Sequence, residues 1–479
     1  MTEARAFDEL WGTSRHKKAR TGFEPLARWL ADVPPAELDR RQQAAEAAFR
    51  SLGITFAVYG DEDSAERIIP FDIVPRIFTA REWADLSEGL EQRVRAINAF
   101  IDDVYGARRI LADGAIPADI ILGNSQFCIP CAGARPPLGV YAHICGIDLV
   151  RTGADEFFVL EDNCRTPSGV SYMLENREAM LRLNPELFEI FPVEPVDSYP
   201  ELLRDTLYSV APPGARDPNC VLLTPGHYYS AFYVHCFLAD NMGIELVEGS
   251  DLEVDDDRVF MRTIDGPVRV DVIYRRIDDD FLDPLAFDPA SVLGVPGLLA
   301  AYLAGNVTLV NAPGTGIADD KAIYSYMPEI VRYYTGEEPK LPNVQTWRCR
   351  EPKGLKYVLD HLDELVVKLV DSSGGFGMLV GPTASRAELD RFRAALKAEP
   401  QRYIAQPTLA LSTVPTFTDV GLAPRHVDFR PFVLTGANGV TIVPGGLTRV
   451  ALREGSLVVN SSQGGGTKDS FILSDEGHA

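Results

Sequence analysis

Asp148, Glu161 and Asn163 are the residues of this chain from which a reactive centre is most readily built. They belong to residues 146–173, GIDLVRTGADEFFVLEDNCRTPSGVSYM, where an apolar run at 157–160 leads into Glu161-Asp162-Asn163 and a second run carries Asp148. Residues 152–156 supply the Gly and Asp of a turn, so the stretch is expected to form a β-hairpin. A turn near Ala154–Asp155 sets Asp148 opposite Glu161. Alternation along the strand then puts Glu161 and Asn163 on one face and Asp162 on the other. Two carboxylates and an amide oxygen at one strand end suit a hard divalent cation such as Mg²⁺, which takes one or two carboxylates together with substrate phosphates. Local spacing alone equally allows two acids and a turn Asn on a solvated hairpin.

A second group of residues favours anions. Lys368 lies on an expected strand, 365–370, that runs into DSSGGFGM at 371–378. A lysine before a loop carrying Ser373, Gly374, Gly375 and Gly377 suits phosphate, because glycines let backbone N–H groups approach oxygens while the ammonium neutralises charge. The sequence is not a P-loop, since GxxxxGK[ST] is absent. Arg430 and Arg449 fall on expected strands, where an unpaired charge is costly, and this points to anionic partners. Tyr228, Ser230, Arg275 and Arg276 fall beyond the carboxyl ends of strands in a βαβ stretch, where ligands of open parallel sheets sit. Asp278-Asp279-Asp280 is compatible with a nucleotide-sugar metal site or with an acidic solvated loop.

The elements that must position these residues are readable in outline. Residues 1–120 are expected to be mainly helical, with helical segments at 24–51 and 82–112. In the latter Trp83, Leu86, Leu90, Val94, Ile97, Phe100 and Ile101 recur at helical spacing, and Gly106 is the expected stop. A helix is expected at 172–183. Strands at 221–223, 243–247, 270–274 and 306–310 alternate with helical segments, as in a largely parallel sheet. A helical stretch to about 334, a strand near 344–349, a helix at 354–362, a helix at 385–398 and a strand at 403–406 surround Lys368. The last ninety or so residues are expected to be β-rich at 426–434, 439–443, 448–452 and 456–459, with the Gly-rich run 460–468 closing the ordered part.

Composition limits the alternatives. The formal charge of −23 argues against nucleic acid as the main partner. The one basic cluster, at 15–20, is short. No run of about 18 apolar residues occurs and the N-terminus lacks the basic-then-apolar plan of a secretory leader, so no membrane contact and a cytoplasmic location are expected. Seven cysteines, an odd number with a single CxxC at Cys128 and Cys131, suit a reducing compartment rather than a disulfide framework. Neither the oligomeric state nor a protein partner is legible.

Joined in order, these pieces resemble the circularly permuted ATP-grasp type 2 family, which is related to the synthetase domain of glutathionylspermidine synthase. The resemblance rests on VPRIFTAREW (74–83), RTPSGVSYMLENRE, VDVIYRRIDDDFLDP, NAPGTGIADDKA and VVNSSQGGGTKD, and it covers nearly all of 68–473. It implies an α/β fold with α+β lobes: an N-terminal mainly helical region (1–120), a permuted segment carrying the Mg²⁺ hairpin (121–200), a Rossmann-like pre-ATP-grasp domain (201–317) and the ATP-grasp lobes (318–479). Lys321, after Asp320, resembles the first nucleotide lysine and Lys368 the second, with the 372–378 loop closing over the phosphates. Gln406 stands in the hinge along adenine, where many members carry an acid. Leu369 stands where the family usually has Pro.

The resemblance further implies roles. Lys321, Lys368, Ser373, Gly374, Gly375, Gly377 and Gln406 would hold ATP, and Asp148, Glu161 and Asn163 would hold Mg²⁺. Arg430 and Arg449 would stabilise charge during catalysis, while Tyr228, Ser230, Arg275 and Arg276 would face the substrate. The implied activity is an ADP-forming ligase that joins a small-molecule or peptide carboxylate to an amine through an acyl phosphate. A non-catalytic nucleotide-binding scaffold with the same fold and a nucleotide-sugar transferase are the alternatives.

Overall fold

The expected hairpin forms, and it sits inside the largest sheet of the molecule. In the computed structural model, which describes residues 6–12, 18–51, 53, 55–56, 67–227, 229, 231–371, 377–456, 459 and 464–475, strand Ile144–Gly153 pairs antiparallel with Glu156–Asn163. Asp148 lies opposite Glu161 and Gly146 opposite Asn163, with a register shift just beyond Asp148 that leaves Leu160 unpaired. Of the residues singled out above, Tyr228, Ser230, residues 372–376 (Ser373, Gly374 and Gly375 among them), 15–17, 457–458 of the expected strand at 456–459, and 460–463 lie outside the described set.

The hairpin does not stand in solvent. Its first strand is flanked by Phe432–Gly436 and Gly421–Arg430, and the sheet continues through Leu447–Val450, Gly466–Ile472 and Phe71–Phe78. Ile144, Cys145, Ile147, Asp148 and Leu149 are all buried, so the solvated-hairpin alternative does not hold. Pro431 breaks the single strand expected at 426–434 into two.

Two strands of this sheet depart from the expected plan. Phe71–Phe78 lies in the region expected to be helical; its aromatic and β-branched residues are buried along the whole strand. Gly466–Ile472 pairs with it in parallel, beginning inside the run at 460–468 and continuing past the point where the ordered chain was expected to close. This strand looks too polar for a core, yet it is buried throughout because its charges are matched: Lys468 pairs with Asp72, and the Asp469 carboxylate accepts from Arg177 Nε at 2.8 Å.

The helical expectations hold elsewhere in that region, with helices Glu24–Asp32, Pro35–Ser51 and Ala80–Tyr105. The last begins with a capping box between Thr79 and Glu82 and ends at Gly106. It packs on the main sheet through Leu86, Leu90, Val94, Ile97, Phe100 and Ile101, all buried. Helix Val170–Leu183 follows the hairpin.

Four parallel strands, Cys220–Leu223, Glu245–Val247, Val272–Arg275 and Thr308–Val310, make the expected open sheet. A three-stranded antiparallel insert spans 252–270, which was not foreseen. Strands Trp347–Arg348, Tyr403–Pro407, Leu365–Leu369 and Leu379–Val380 form a separate antiparallel sheet backed by helices Pro352–Asp360 and Arg386–Ala398, with its own apolar cluster. Among the described residues no helix is long and apolar enough to cross a membrane.

The far face of the hairpin is fixed by charge. Asp162 points away from Glu161 and takes a two-pronged contact from Arg93 of helix Ala80–Tyr105, at 2.6 and 2.7 Å, in a place where both residues are buried. Arg93 also donates to Asn343 Oδ1 at 2.8 Å, and Val159 exchanges backbone hydrogen bonds with residues 342 and 344. Removing one member of a buried pair strands the other. We therefore expect Asp162→Ala to cost about 3–5 kcal/mol, whereas Arg93→Met with Asp162→Leu recovers most of that loss. Urea midpoints check this; a midpoint for Asp162→Ala equal to that of the parent contradicts it.

Candidate functional site

Asp148 is fully buried, and its carboxylate lies between two arginines from neighbouring strands. Arg430 Nη2 donates to it at 2.8 Å and Arg430 Nε also contacts it, while Arg449 Nη2 donates to the same carboxylate at 2.7 Å. Sheet register produces this meeting. Asp428 and Arg449 are directly opposite each other, as are Phe429 and Leu149. Arg449 Nε donates to Asp428 Oδ1 at 2.8 Å. Burial opposes ionisation of Asp148, but the Arg430 and Arg449 charges outweigh it and hold this carboxyl below the usual carboxylate range. The anions that the two arginines required are therefore carboxylates of the protein itself. Asp148 is in consequence the expected metal ligand least free to coordinate.

Glu161 is half-buried and faces the same cluster. Its carboxyl is pushed up by burial and by the Asp148 charge, against the opposing pull of Lys321, Lys368 and Arg430. Lys368 mirrors it. Burial brings its ammonium down to about 8, opposed by Glu161 and Asp148 and reinforced by Lys321. A carboxylate that gains from a cation and a lysine that gains from an anion thus share one pocket of charge. Asn163, opposite Gly146 at the end of the hairpin, has a buried Nδ2 without a hydrogen-bond partner among the described residues.

Hydrogen bonds show how residues far apart in sequence are brought together. The Asp319 carboxylate accepts from the backbone N–H of Cys164 at 2.6 Å and of Arg165 at 3.3 Å, which ties the end of the hairpin to the segment before Lys321. Burial lifts this carboxyl to about 7 against the pull of those N–H groups and of Arg165. Asp320 caps helix Lys321–Tyr324, and Lys321 N–H donates to Val370 O at 3.2 Å, two residues beyond Lys368. Hairpin, first lysine and second lysine are thus linked in one chain of contacts.

The remaining candidates divide. Gln406 is buried opposite Val366; its Oε1 accepts from Lys368 Nζ at 2.8 Å, and its Nε2 donates to Thr346 Oγ1 at 3.1 Å. It faces the lysine. Gly377 has φ +68°, and a Cβ there would lie 2.5 Å from a Leu369 methyl, so this exit from the loop requires glycine. Arg275 is spent on the protein: it donates to Asn311 O at 2.6 Å, Ile277 O at 2.8 Å and Ala312 O at 3.2 Å, and pairs with Asp279 at 2.7 Å. Asp278 pairs with Arg165 at 3.4 Å, and the Asp279 carboxylate also accepts from Gly314 N–H, so these two aspartates brace loops. Arg276 is buried and holds Pro167 O at 2.8 Å. Cys128 and Cys131 are buried free thiols on either side of a tight turn. Sequence reasoning missed Asp428, Asp319 and His235. Asp319 lies inside the NAPGTGIADDKA stretch, where it was given no role, while the other two carry no local signal.

The donor set fits ATP with a divalent cation. Glu161 and Asn163 offer oxygens, and two lysines offer positive charge where phosphates would lie. Among the described residues no group of three or more His, Cys, Asp or Glu is arranged to hold a metal by itself. Any cation here depends on the mixed carboxylate and amide set and on its ligand's phosphates.

Comparison with other proteins agrees with this fold. The circularly permuted ATP-grasp type 2 pattern matches residues 75–451. An uncharacterized protein of Synechocystis sp. is 51% identical over 98% of this chain and 97% of its own length. A Frankia alni protein bearing the name "Putative glutamate--cysteine ligase 2-3" is 45% identical over 97% of this chain, which spans 54% of that longer protein. A glutathione synthetase-like effector (GSS30) from Globodera pallida, solved in its apo form, superposes with a TM-score of 0.58 at 11% identity, covering 92% of this chain and 98% of the effector, a likeness of fold alone. The chain belongs to the circularly permuted ATP-grasp type 2 family.

Proposed function

We propose that this protein is an ATP-dependent ligase that joins a carboxylate to an amine and releases ADP. The observation that carries the reading is the convergence of Glu161 and Asp148 with Lys321 and Lys368, residues from opposite ends of a permuted order, in one desolvated cluster of both signs. The ligase name of the Frankia relative belongs to that longer protein and supports the class of reaction only.

In this reading Lys321 and Lys368 hold the phosphates of ATP, to which backbone N–H groups of 372–378 would be added, and Gln406 keeps the Lys368 ammonium in place. Glu161 and Asn163 would hold Mg²⁺, with Asp148 adding its charge from behind the two guanidinium groups. A cation held there would supply positive charge to the phosphate oxygens as charge migrates to the leaving ADP. Arg430 and Arg449, fixed by Asp148 and Asp428, present their remaining N–H groups to the acid substrate and to the charge that develops on it. A carboxylate oxygen attacks the γ-phosphorus as the bond to the β-phosphate oxygen breaks, giving ADP and an acyl phosphate. The amine then attacks the acyl carbon, loses a proton and expels inorganic phosphate. Arg276 belongs to the substrate side, which Tyr228 and Ser230 would share, whereas Arg275 braces the strand ends from beneath.

The two halves of the cluster separate by mutation and by pH. Lys368→Ala weakens Mg²⁺-ATP binding, whereas Glu161→Gln keeps most of the binding and loses turnover, because lysine contacts act in the ground state and cation placement acts as charge moves. The ammonium is the form that binds phosphate, and in the free protein it is present below about 8. Affinity for ATP in the parent protein is therefore flat below that pH and falls as pH rises through it, a break that Lys368→Ala lacks. Calorimetric titration across pH checks both; a pH-independent Kd through pH 9, or a fully active Glu161→Gln, contradicts the assignment.

The reaction course has its own test. Hydroxylamine in place of the amine traps the activated acid as a hydroxamate, with one ADP formed per hydroxamate. Formation of AMP and pyrophosphate would instead mean attack at the α-phosphate, and the acyl phosphate would be excluded.

A further inference from the structure

Beyond the lysine–carboxylate cluster, the carboxyl edge of the parallel sheet carries a buried positive charge without a counter-charge. Arg276 follows strand Val272–Arg275, and its N–H donates to Leu223 O at 2.8 Å, which sets it beside Thr224, the first residue past strand Cys220–Leu223. Only 4% of its surface is exposed. Its Nη1 donates to Pro167 O at 2.8 Å and to the Tyr274 hydroxyl at 3.3 Å, both neutral, and its buried Nε has no hydrogen-bond partner among the described residues. Among the described residues no carboxylate lies within ion-pair distance of it, whereas its neighbour Arg275 has Asp279 at 2.7 Å. A guanidinium taken out of water without an anion is costly, and folds rarely tolerate one without a use for it.

A second donor without a hydrogen-bond partner among the described residues lies within reach of the Arg276 charge. His235, on helix Phe232–Met242, is fully buried, with Nδ1 2.8 Å from Thr224 Oγ1. Gly226 N–H also donates to that oxygen, at 3.2 Å, and among the described residues Nδ1 is the acceptor within reach of the Thr224 hydroxyl hydrogen, an arrangement that leaves the ring's own hydrogen on Nε2. That Nε2 has no hydrogen-bond partner among the described residues. Burial and the nearby Arg276 charge hold the ring neutral, with its pKa brought down to about 2. Tyr229, an exposed ring, stacks on the imidazole at 5.5 Å and forms the outer side of this cluster. Consecutive carbonyls connect the pair to the phosphoryl site: Pro167 O accepts from Arg276, and Ser168 O accepts from Arg430 at 3.4 Å.

We propose that Arg276 Nε and His235 Nε2 form an anchoring subsite for a carboxylate, the one on the acid substrate that does not react. One donor is charged and the other neutral, and both are shielded from water, which favours an anionic acceptor over an amide or hydroxyl. Thr224 is a positioning residue that fixes the imidazole tautomer. The identity of the carboxylate as part of an acid substrate rests on the ligase reading above; the existence of the subsite does not.

Thermal unfolding of the full chain without nucleotide tests it, with sodium glutarate as the probe, sodium chloride at matched ionic strength, and glutaramide as the uncharged analogue. Glutarate at tenfold excess over its Kd raises the melting temperature of the parent by about 1–2 °C, and glutaramide does not. Arg276→Gln and His235→Phe lose the rise, Arg276→Lys retains part of it, and Lys368→Ala retains all of it. Arg276→Gln also leaves the ligand-free melting temperature unchanged or higher, because it removes an unmatched charge. Absence of a glutarate-specific rise in the parent, an undiminished rise in Arg276→Gln, or a sharp fall in that variant's ligand-free melting temperature overturns the proposal. A parallel arm with Mg²⁺-ATP reads the nucleotide site separately: Arg276→Gln keeps that response, and its absence from the parent refutes the ligase reading without touching the glutarate result.

Discussion

Everything in the candidate site depends on a carboxylate held between two guanidinium groups where water does not reach. Asp148 joins three strands of the main sheet through Arg430 and Arg449, and Asp428 completes the group by opposing Arg449. Buried ions of this kind contribute little net stability over an apolar core of equal volume, so their value lies in placement. Two arginines with charges matched from behind present their remaining hydrogens in fixed directions. A neighbouring carboxylate, Glu161, then feels both the Asp148 charge and the desolvation, and is the group left wanting a cation.

The fold surrounds this centre with independent braces. Arg93 and Asp162 anchor the opposite face of the hairpin to a long helix. Asp319 ties the hairpin's end to the segment that delivers Lys321, and the N–H of Lys321 reaches the end of the strand carrying Lys368. Each brace is short, and each joins parts distant in sequence. Permutation of the chain therefore costs the site nothing: what fixes Glu161 relative to the lysines is hydrogen bonding and sheet register, and neither depends on which segment comes first.

What could be read from the sequence follows the range of the forces involved. The hairpin register at Asp148 and Glu161 was legible because a period of two and a Gly/Asp turn are local, and the parallel strands were legible from short apolar runs between helical segments. Strand Gly466–Ile472 was not, because its Lys468 and Asp469 look solvated until Asp72 and Arg177 arrive from elsewhere. Strand Phe71–Phe78 was overlooked beside long helices. The need of Arg430 and Arg449 for anions was legible, but not that Asp148, 282 residues from Arg430, would meet it. His235 is a lone histidine on an apolar helix, and nothing local distinguishes it from a core residue.

The central claim is that segments from both ends of a permuted chain make one nucleotide and cation site. Diffraction from crystals grown with Mn²⁺ and a non-hydrolysable ATP analogue tests it most directly, because the anomalous signal locates the cation without reference to any assumed ligand. The account predicts Mn²⁺ about 2 Å from a Glu161 oxygen and from phosphate oxygens, with the Lys321 and Lys368 ammoniums on the same phosphates. Mn²⁺ bound away from Glu161, or phosphates out of reach of both lysines, contradicts it.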